Sequence, residues 1–340
     1  MKATMALGQI GCGYWGPNLL RVFNELPGCR VKWLCELKPG RLEWARQRYP
    51  GLGLTADFKD ILEDPEIDAV AIATEVVTHF SLAKAALSAG KHVFVEKPLA
   101  HSAAEASELA ALARRQRRTL GVGHVFLYHP AVRRLKEELG RGGLGRLFYL
   151  DMARINPGPP SPRHDVVWDM APHDVAMAIH LAGKNPSAVR ATGWRYTQGR
   201  LDEAAFIEIE FGSGVVARIH VGWLSSRRIR RVEIYAERGS AFYDDVEAFE
   251  KLRLVRPGKD TRVGADSKKA QSLYYGAGDI EIPALAPEEP LRNECADFLA
   301  AARRGVQPLS GPELGVGVVR VLEQACRSTA SGGRRMAFKP

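Results

Sequence analysis

The sequence predicts an α/β protein: a doubly wound parallel sheet at the N-terminus, followed by a second α/β domain built on a mostly antiparallel sheet. Three observations predict it. Residues 1–125 alternate short apolar runs with segments of helical period, as parallel strands joined by crossover helices require. The first of those crossings carries glycines at 11, 13 and 16, and beyond Pro130 hydrophobicity alternates with period two in six separate runs.

Gly11, Gly13 and Gly16 stand in G-x-G-x-x-G spacing between the apolar run Met5-Ala6-Leu7 and a predicted helix, Asn18 to Glu25. The first glycine permits a tight turn, the second lets a pyrophosphate approach the backbone, and the third lets helix pack on strand. Pro17 suits the first helical turn, whose free amides and positive dipole end would face a phosphate. Val31 to Glu36 reads as the second strand, ending in an acid twenty residues after Gly16, where a ribose-binding carboxylate belongs. Glu36 can accept bonds from both adenosine ribose hydroxyls and would repel a 2′-phosphate, which favours NAD over NADP. Lys38 and Arg41 just beyond could tolerate a phosphate.

The alternation then continues. Pro39 to Tyr49 has helical spacing, Asp57 caps a short helix to Leu62, and Asp68 to Thr74 is an almost wholly apolar strand, as expected when helices cover both faces. Thr78 is the expected cap of a helix from His79 to Ala89, closed by Gly90. His92 to Glu96 is the next strand. Ser102 and Glu105 have capping-box spacing before a helix reaching Arg118, and Leu120 to Val125 is the last strand of a domain spanning 1–125. In the second domain, 126–340, a helix from Ala131 to Leu139 precedes the alternating runs at 147–155, 188–196, 205–211, 215–223, 231–236 and 252–255. A helix from Val166 to Leu181 interrupts them, 257–290 reads as a long excursion, and helices Leu291 to Arg303 and Glu313 to Ser328 close the chain, with packing back on the first domain as the alternative to a place in the second.

Composition narrows the function. The 340 residues are 46% hydrophobic and 26% charged, enough for two cored domains and unlike a disordered chain. No apolar stretch approaches the roughly twenty residues of a membrane span, and a glycine-rich turn stands where a signal peptide's apolar core would be. The expected location is cytoplasmic. The five cysteines are odd in number and form no C-x-x-C pair, which argues against a disulfide framework and a zinc site; no metal is expected. The net charge of +9 is spread along the chain without a basic helix or an aromatic-interleaved basic patch, which argues against nucleic acid and suits an anionic small substrate.

The segments GCGYWGPN (11–18), Glu96-Lys97-Pro98, GHVFLYHPAVRRLKE (123–137), WDMAPHD (168–174) and ECADFLAAARRG near the end resemble, in order and spacing, the glucose-fructose oxidoreductase, inositol dehydrogenase and MocA family. The resemblance implies a Rossmann domain followed by an α/β domain whose open sheet often serves as an oligomer interface, so a homodimer or homotetramer is expected. It also implies hydride transfer between a nicotinamide and a hydroxyl-bearing carbon of a sugar or polyol. The WGPN and WDMAPHD wording is most similar to the branch acting on UDP-linked amino sugars or their uronates. Neighbouring branches take free inositols and sugars, and a non-catalytic nucleotide-binding regulator is the alternative from another class.

Oxidising an alcohol needs a group that accepts the hydroxyl proton, and Lys97 and His173 are the candidates. Lys97 lies just past a strand's carboxyl end, where open α/β sheets bind ligands. The resemblance adds that its bond to Pro98 is often cis. Pro172 places His173 in the first turn of a helix, where the dipole would favour a neutral imidazole. Asp169 either caps that helix or bonds substrate hydroxyls and orients His173. For the cofactor the resemblance adds Tyr14, Trp15, Thr74, His79 and Glu96. Glu75 replaces the family's usual proline, which leaves the conformation of that turn open. Arg154, Asn156, Arg163, Arg195, Tyr196 and the run 227–231 are candidate contacts for an anionic substrate.

Overall fold

The computed structural model describes residues 4–158, 164–197, 201–256 and 278–338. The chain forms two units, 1–129 with 288–323 and 130–287 with 324–340. Arg163 and most of the 257–290 stretch lie outside the described residues.

In the first unit, strands β1 (Met5–Ile10), β2 (Cys29–Cys35), β3 (Gly53–Thr55), β4 (Ala69–Ile72), β5 (His92–Glu96) and β6 (Leu120–Gly123) form one parallel sheet in the order β3-β2-β1-β4-β5-β6. The order reverses direction between β1 and β4, and this creates the crevice at the carboxyl ends where such sheets bind ligands. Ile10 pairs with both Cys35 and Ile72, so the residues that follow these strands, Gly11, Glu36 and Ala73, emerge at one level. All of β1 and β4 is buried, as a sheet covered on both faces demands. The crossover helices are α1 (Gly16–Glu25), α2 (Pro39–Arg48), α3 (Lys59–Glu63), α4 (Val76–Ser88) and α5 (Ala103–Arg115).

Three starts differ from expectation. Helix α1 begins at Gly16, α3 begins at Lys59 with Phe58 rather than Asp57 at its N-cap, and α4 begins at Val76 with Glu75 rather than Thr78 at its N-cap. Thr78 instead points its hydroxyl back to Thr74 Oγ1, 2.7 Å away, and its amide donates to the Glu75 carbonyl. Glu75 is extended, at φ −73° and ψ 145°, so the turn forms without proline. At α5 the Glu105 amide donates to Ser102 Oγ as the capping-box spacing predicts, while the Glu105 carboxylate accepts from the amide of His101, one residue before the cap.

The second unit opens with α6 (Pro130–Gly140) and β7 (Leu147–Ile155), followed by α7 (Val166–Ala182) and strands β8 (Pro186–Trp194), β9 (Ala204–Phe211), β10 (Val216–Gly222), β11 (Ile229–Ala236), β12 (Gly239–Asp244), β13 (Leu252–Arg256) and β14 (Asp279–Glu281). With β15 (Met336–Ala337) they form an open sheet in the order β14-β13-β12-β11-β7-β10-β9-β8-β15, and among its pairs β7 with β10 is parallel and the rest antiparallel. Strands β3, β12, β14 and β15 were not among the runs read from sequence; three of them are two or three residues long, too short to show a period. Helix α7 packs on β7, β9 and β10 over Ala217, Ile219 and Val221. The alternate residues carry an aromatic surface on which Tyr149 stacks on Tyr235 and Phe206 on His220.

Helix α8 (Pro290–Arg304) belongs to the first unit, and α9 (Pro312–Ala330) runs from the first unit into the second. Leu291, Cys295, Phe298 and Leu299 of α8 join Leu19, Leu20 and Phe23 of α1 in one buried cluster. Phe298 meets Phe94 edge to face at 5.6 Å, which seats α8 against the middle of the sheet.

Candidate active site

At the carboxyl ends of β1, β2, β4 and β5 the first unit has a cavity of about 890 Å³. Its floor is the glycine turn. Gly11 has φ +95°, and a Cβ there would stand 2.6 Å from the Ala73 carbonyl oxygen. A Cβ at Gly16 would stand 2.7 Å from the Gly11 oxygen, whereas one at Gly13 would meet nothing within 4 Å. The first and third glycines therefore serve close packing, and the second leaves open space facing the cavity. Gln9, fully buried in β1, locks the turn by donating to the carbonyls of both Gly11 and Gly16 at 2.9 Å. Sequence reasoning missed it, although a lone amide in an otherwise apolar strand was the available signal.

Among the described residues no side chain caps α1, so its first amides keep their capacity for an anionic ligand. Glu36 lines the cavity with its carboxylate fixed by the amides of Cys12 at 2.7 Å and Lys38 at 2.9 Å. A carboxylate has about four acceptor positions, so capacity for ribose hydroxyls remains. Tyr14 and Leu37, 94% and 79% exposed, stand at the same rim, with Trp15, Thr74, Glu96 and Lys97 in the lining. Open glycine, uncapped helix start and fixed acid together fit a dinucleotide.

At the β5 end, burial pushes the Glu96 carboxyl up to about 7, against the opposing effects of the Lys97 charge, the Lys97 amide and the Trp15 side chain. The Lys97–Pro98 peptide is cis. His79 lies behind it, 1% exposed and outside the cavity lining, with Nδ1 2.8 Å from the Pro98 oxygen and Nε2 3.2 Å from the Thr74 oxygen. Burial holds its pKa below the ordinary value. A neutral imidazole carries one N–H, so His79 donates to one of these two carbonyls and packs against the other. His124, not among the expected site residues, is 1% exposed, and burial with the Lys97 charge lowers its pKa to about 3.

In the second unit the site residues gather on α7 and β7. Asp165 caps α7, accepting from the Trp168 amide at 3.0 Å. Pro172 lies inside the helix, and His173 is about two turns from its start. This corrects the expectation of a first-turn histidine; the dipole's influence fades within the first turn and does not set the state of His173. Burial of Val166, Val167, Met170, Ala171 and Val175 carries the helix across the bond that Pro172 cannot donate. Asp169 is not the cap. It accepts from Trp223 Nε1 at 2.9 Å, an anchor with no sequence-local signal.

Arg154, 4% exposed, is engaged by its Nε in a buried ion pair with Asp174 of α7. Asn156 donates its side-chain amide to Met170 Sδ at 3.7 Å, and among the described residues its buried Oδ1 has no partner. Arg195 pairs with Asp202 at 2.9 Å, Tyr196 is 65% exposed, and Arg230 and Arg231 of β11 pair with Asp245 and Glu233. The five cysteines are unpaired, and among the described residues no cluster of His, Cys, Asp or Glu could hold a metal.

The family model described as an oxidoreductase family with an NAD-binding Rossmann fold matches residues 5–124, and that of the GFO/IDH/MocA C-terminal domain matches residues 132–242. The chain belongs to the Gfo/Idh/MocA family. UDP-N-acetylglucosamine 3-dehydrogenase of Acidithiobacillus ferrooxidans is 30% identical over 237 residues, covering 69% of this chain and 70% of the relative. Inositol 2-dehydrogenase 2 of Saccharopolyspora erythraea is also 30% identical, over 64% of this chain and 66% of its own. The solved structure of GnnA, the UDP-N-acetylglucosamine 3-dehydrogenase from Acidithiobacillus ferrooxidans, superimposes with a TM-score of 0.83 at 24% identity, covering 96% of this chain and 98% of that one. This Gfo/Idh/MocA protein is an NAD-dependent oxidoreductase that acts on the hydroxyl-bearing carbons of sugars or polyols. Among its described residues no helix is long and apolar enough to cross a membrane.

Proposed function

We propose that this Gfo/Idh/MocA enzyme oxidises a ring hydroxyl of a nucleotide-linked sugar, a UDP amino sugar or its uronate, or reduces the matching ketone. The observation that carries the choice is the likeness to UDP-N-acetylglucosamine 3-dehydrogenase, which at equal identity extends over more of both chains than the likeness to inositol 2-dehydrogenase 2. Bound NAD supplies the hydride acceptor. The protein supplies the rest. Gly11, Gly13, Gly16 and the start of α1 hold the pyrophosphate, with Tyr14 and Trp15 at the rim, Glu36 takes the adenosine ribose, and Thr74 and Glu96 line the nicotinamide half. His79 serves from behind, packed against the Thr74 and Pro98 carbonyls.

His173 accepts the hydroxyl proton, Lys97 orients the reacting oxygen, and Asp169, steadied by Trp223, bonds a neighbouring hydroxyl. Arg154 is assigned to holding α7 through Asp174, and Asn156 to a polar substrate contact through its unpartnered Oδ1. The open face of the second sheet, with its stacked tyrosines, is assigned to self-association as a homodimer or homotetramer.

The test is nicotinamide absorbance on mixing protein and NAD with UDP-linked amino sugars, their uronates, inositols and free hexoses. Turnover confined to the UDP compounds supports the reading. Turnover of inositol alone moves the enzyme to the polyol branch and overturns the proposed substrate.

A further inference from the structure

The opposite edge of the first sheet carries a second, smaller cavity. It has a volume of about 370 Å³ and opens where β1, β4, β5 and β6 begin, whereas the dinucleotide cavity lies where β1, β2, β4 and β5 end. Its charged lining is Asp68, Lys91, Arg118 and Arg303, three basic side chains against one carboxylate, with His92 beside them.

Two of the cations have clear local roles. Lys91 is 7% exposed and donates to the carbonyls of Asp64 and Ile67 at 2.8 and 2.9 Å; Arg303 donates to the Gly28 carbonyl at 2.7 Å. Basic groups commonly satisfy carbonyls in this way near the ends of helices, and Asp64 is the C-cap of α3. Their charges also offset the negative helix ends that would otherwise repel an anion from this edge.

Arg118 has no such role. It stands between α5 and β6, over Gly90, where an added Cβ would lie 3.7 Å from its Nη2. Among the described residues its guanidinium has neither a hydrogen bond nor an ion pair, and its Nε is withdrawn from solvent without an acceptor. A partly desolvated guanidinium that forms no ion pair is costly, so the position favours an anionic occupant.

His92 adds a donor. Its Nδ1 accepts from the Thr119 amide at 3.0 Å, so the neutral ring carries its proton on Nε2. Burial and the Arg118 charge hold its pKa down at about 4, which keeps it in that neutral form. Asp68 already accepts from the Ala6 amide at 3.0 Å.

We propose that this cavity binds a phosphate dianion, free or as a small phosphate ester, with Arg118 as its principal ligand. The planar guanidinium fork matches a tetrahedral oxyanion, and the excess of cations over carboxylates matches a doubly charged one. The site is independent of the dinucleotide cavity and of the choice of sugar substrate.

The test titrates inorganic phosphate, and separately glycerol phosphate, into the protein saturated with NAD at constant ionic strength, read by calorimetry. Saturable binding is expected, with an R118Q variant weakened about tenfold or more and R118K retaining part of the affinity. NAD affinity should stay unchanged in R118Q, which also reports that the variant is folded. A second readout needs no variant: at pH 8, where phosphate is a dianion and His92 is neutral, the NMR shifts of the His92 ring should change as phosphate fills the cavity and accepts from Nε2. Tighter binding of the ester identifies the phosphate as part of a metabolite, and equal binding identifies the free ion. Loss of binding when NAD is saturating would place phosphate in the dinucleotide cavity and overturn the proposal. Equal affinity in R118Q, an unmoved His92 or no saturable binding at millimolar phosphate would overturn it as well.

Discussion

Alanine at Gly11 and at Gly13 should separate folding from cofactor binding within one turn. At Gly11 the backbone has φ +95° and an added Cβ would lie 2.6 Å from the Ala73 oxygen and 2.7 Å from its carbon. Both neighbours are backbone and cannot rotate aside. The strained conformation costs about 1–3 kcal/mol and forced overpacking a similar amount, so Gly11→Ala should destabilise the first unit by about 2–6 kcal/mol. At a shift of about 2–4 °C per kcal/mol, its thermal midpoint should fall by about 5 °C or more. At Gly13 an added Cβ meets nothing within 4 Å among the described residues, so Gly13→Ala should leave the midpoint within about 2 °C of wild type. The methyl would occupy the space a pyrophosphate needs to reach the backbone, and losing one charge-assisted hydrogen bond weakens NAD about tenfold or more. Scanning calorimetry reads the first effect and NADH fluorescence titration the second. Wild-type NAD affinity in Gly13→Ala would refute the reading of the turn as a pyrophosphate cradle, and a wild-type midpoint in Gly11→Ala would refute the close-packing argument.

Three further outcomes are expected. His173→Ala should lower turnover by about 10²-fold or more while NADH titration shows unchanged affinity; unchanged turnover removes His173 as the proton acceptor. In the buried pair, Arg154→Met or Asp174→Leu alone should destabilise by about 3–5 kcal/mol in denaturant unfolding, and the double variant should recover most of the loss, because each single change leaves an uncompensated charge. The folded Glu96 carboxyl titrates near 7 instead of 4.5, so between these values the folded state holds a proton that the unfolded chain has released, and stability falls as pH rises. Glu96→Gln removes that loss: it should match wild type at pH 5 and exceed it by up to about 3 kcal/mol at pH 8, and a change of opposite sign would show that the carboxyl is not raised.

What the sequence determined by itself was written in short-range periods. Apolar runs separated by helical segments specify a parallel sheet whatever its strand order, and three glycines with an acid twenty residues on specify the dinucleotide crevice, because turn, strand end and helix start are consecutive in the chain. The strand limits at 92–96 and 147–155 follow from the same local pattern. Strands of two or three residues were not legible, since they carry less than one period and exist because a neighbour pairs with them.

Only the tertiary structure decided the surroundings of the candidate site. Asp169 is anchored by Trp223, 54 positions away, and Arg154 is taken by Asp174 across a strand and a helix. His173 stands two turns into its helix because the packing of five buried neighbours outweighs the missing Pro172 donor, a balance no local rule contains. The raised carboxyl of Glu96 and the uncompensated guanidinium of Arg118 have the same origin. Charge states depend on which groups the fold brings near and how much water it removes, and those are properties of packing between residues far apart in the chain.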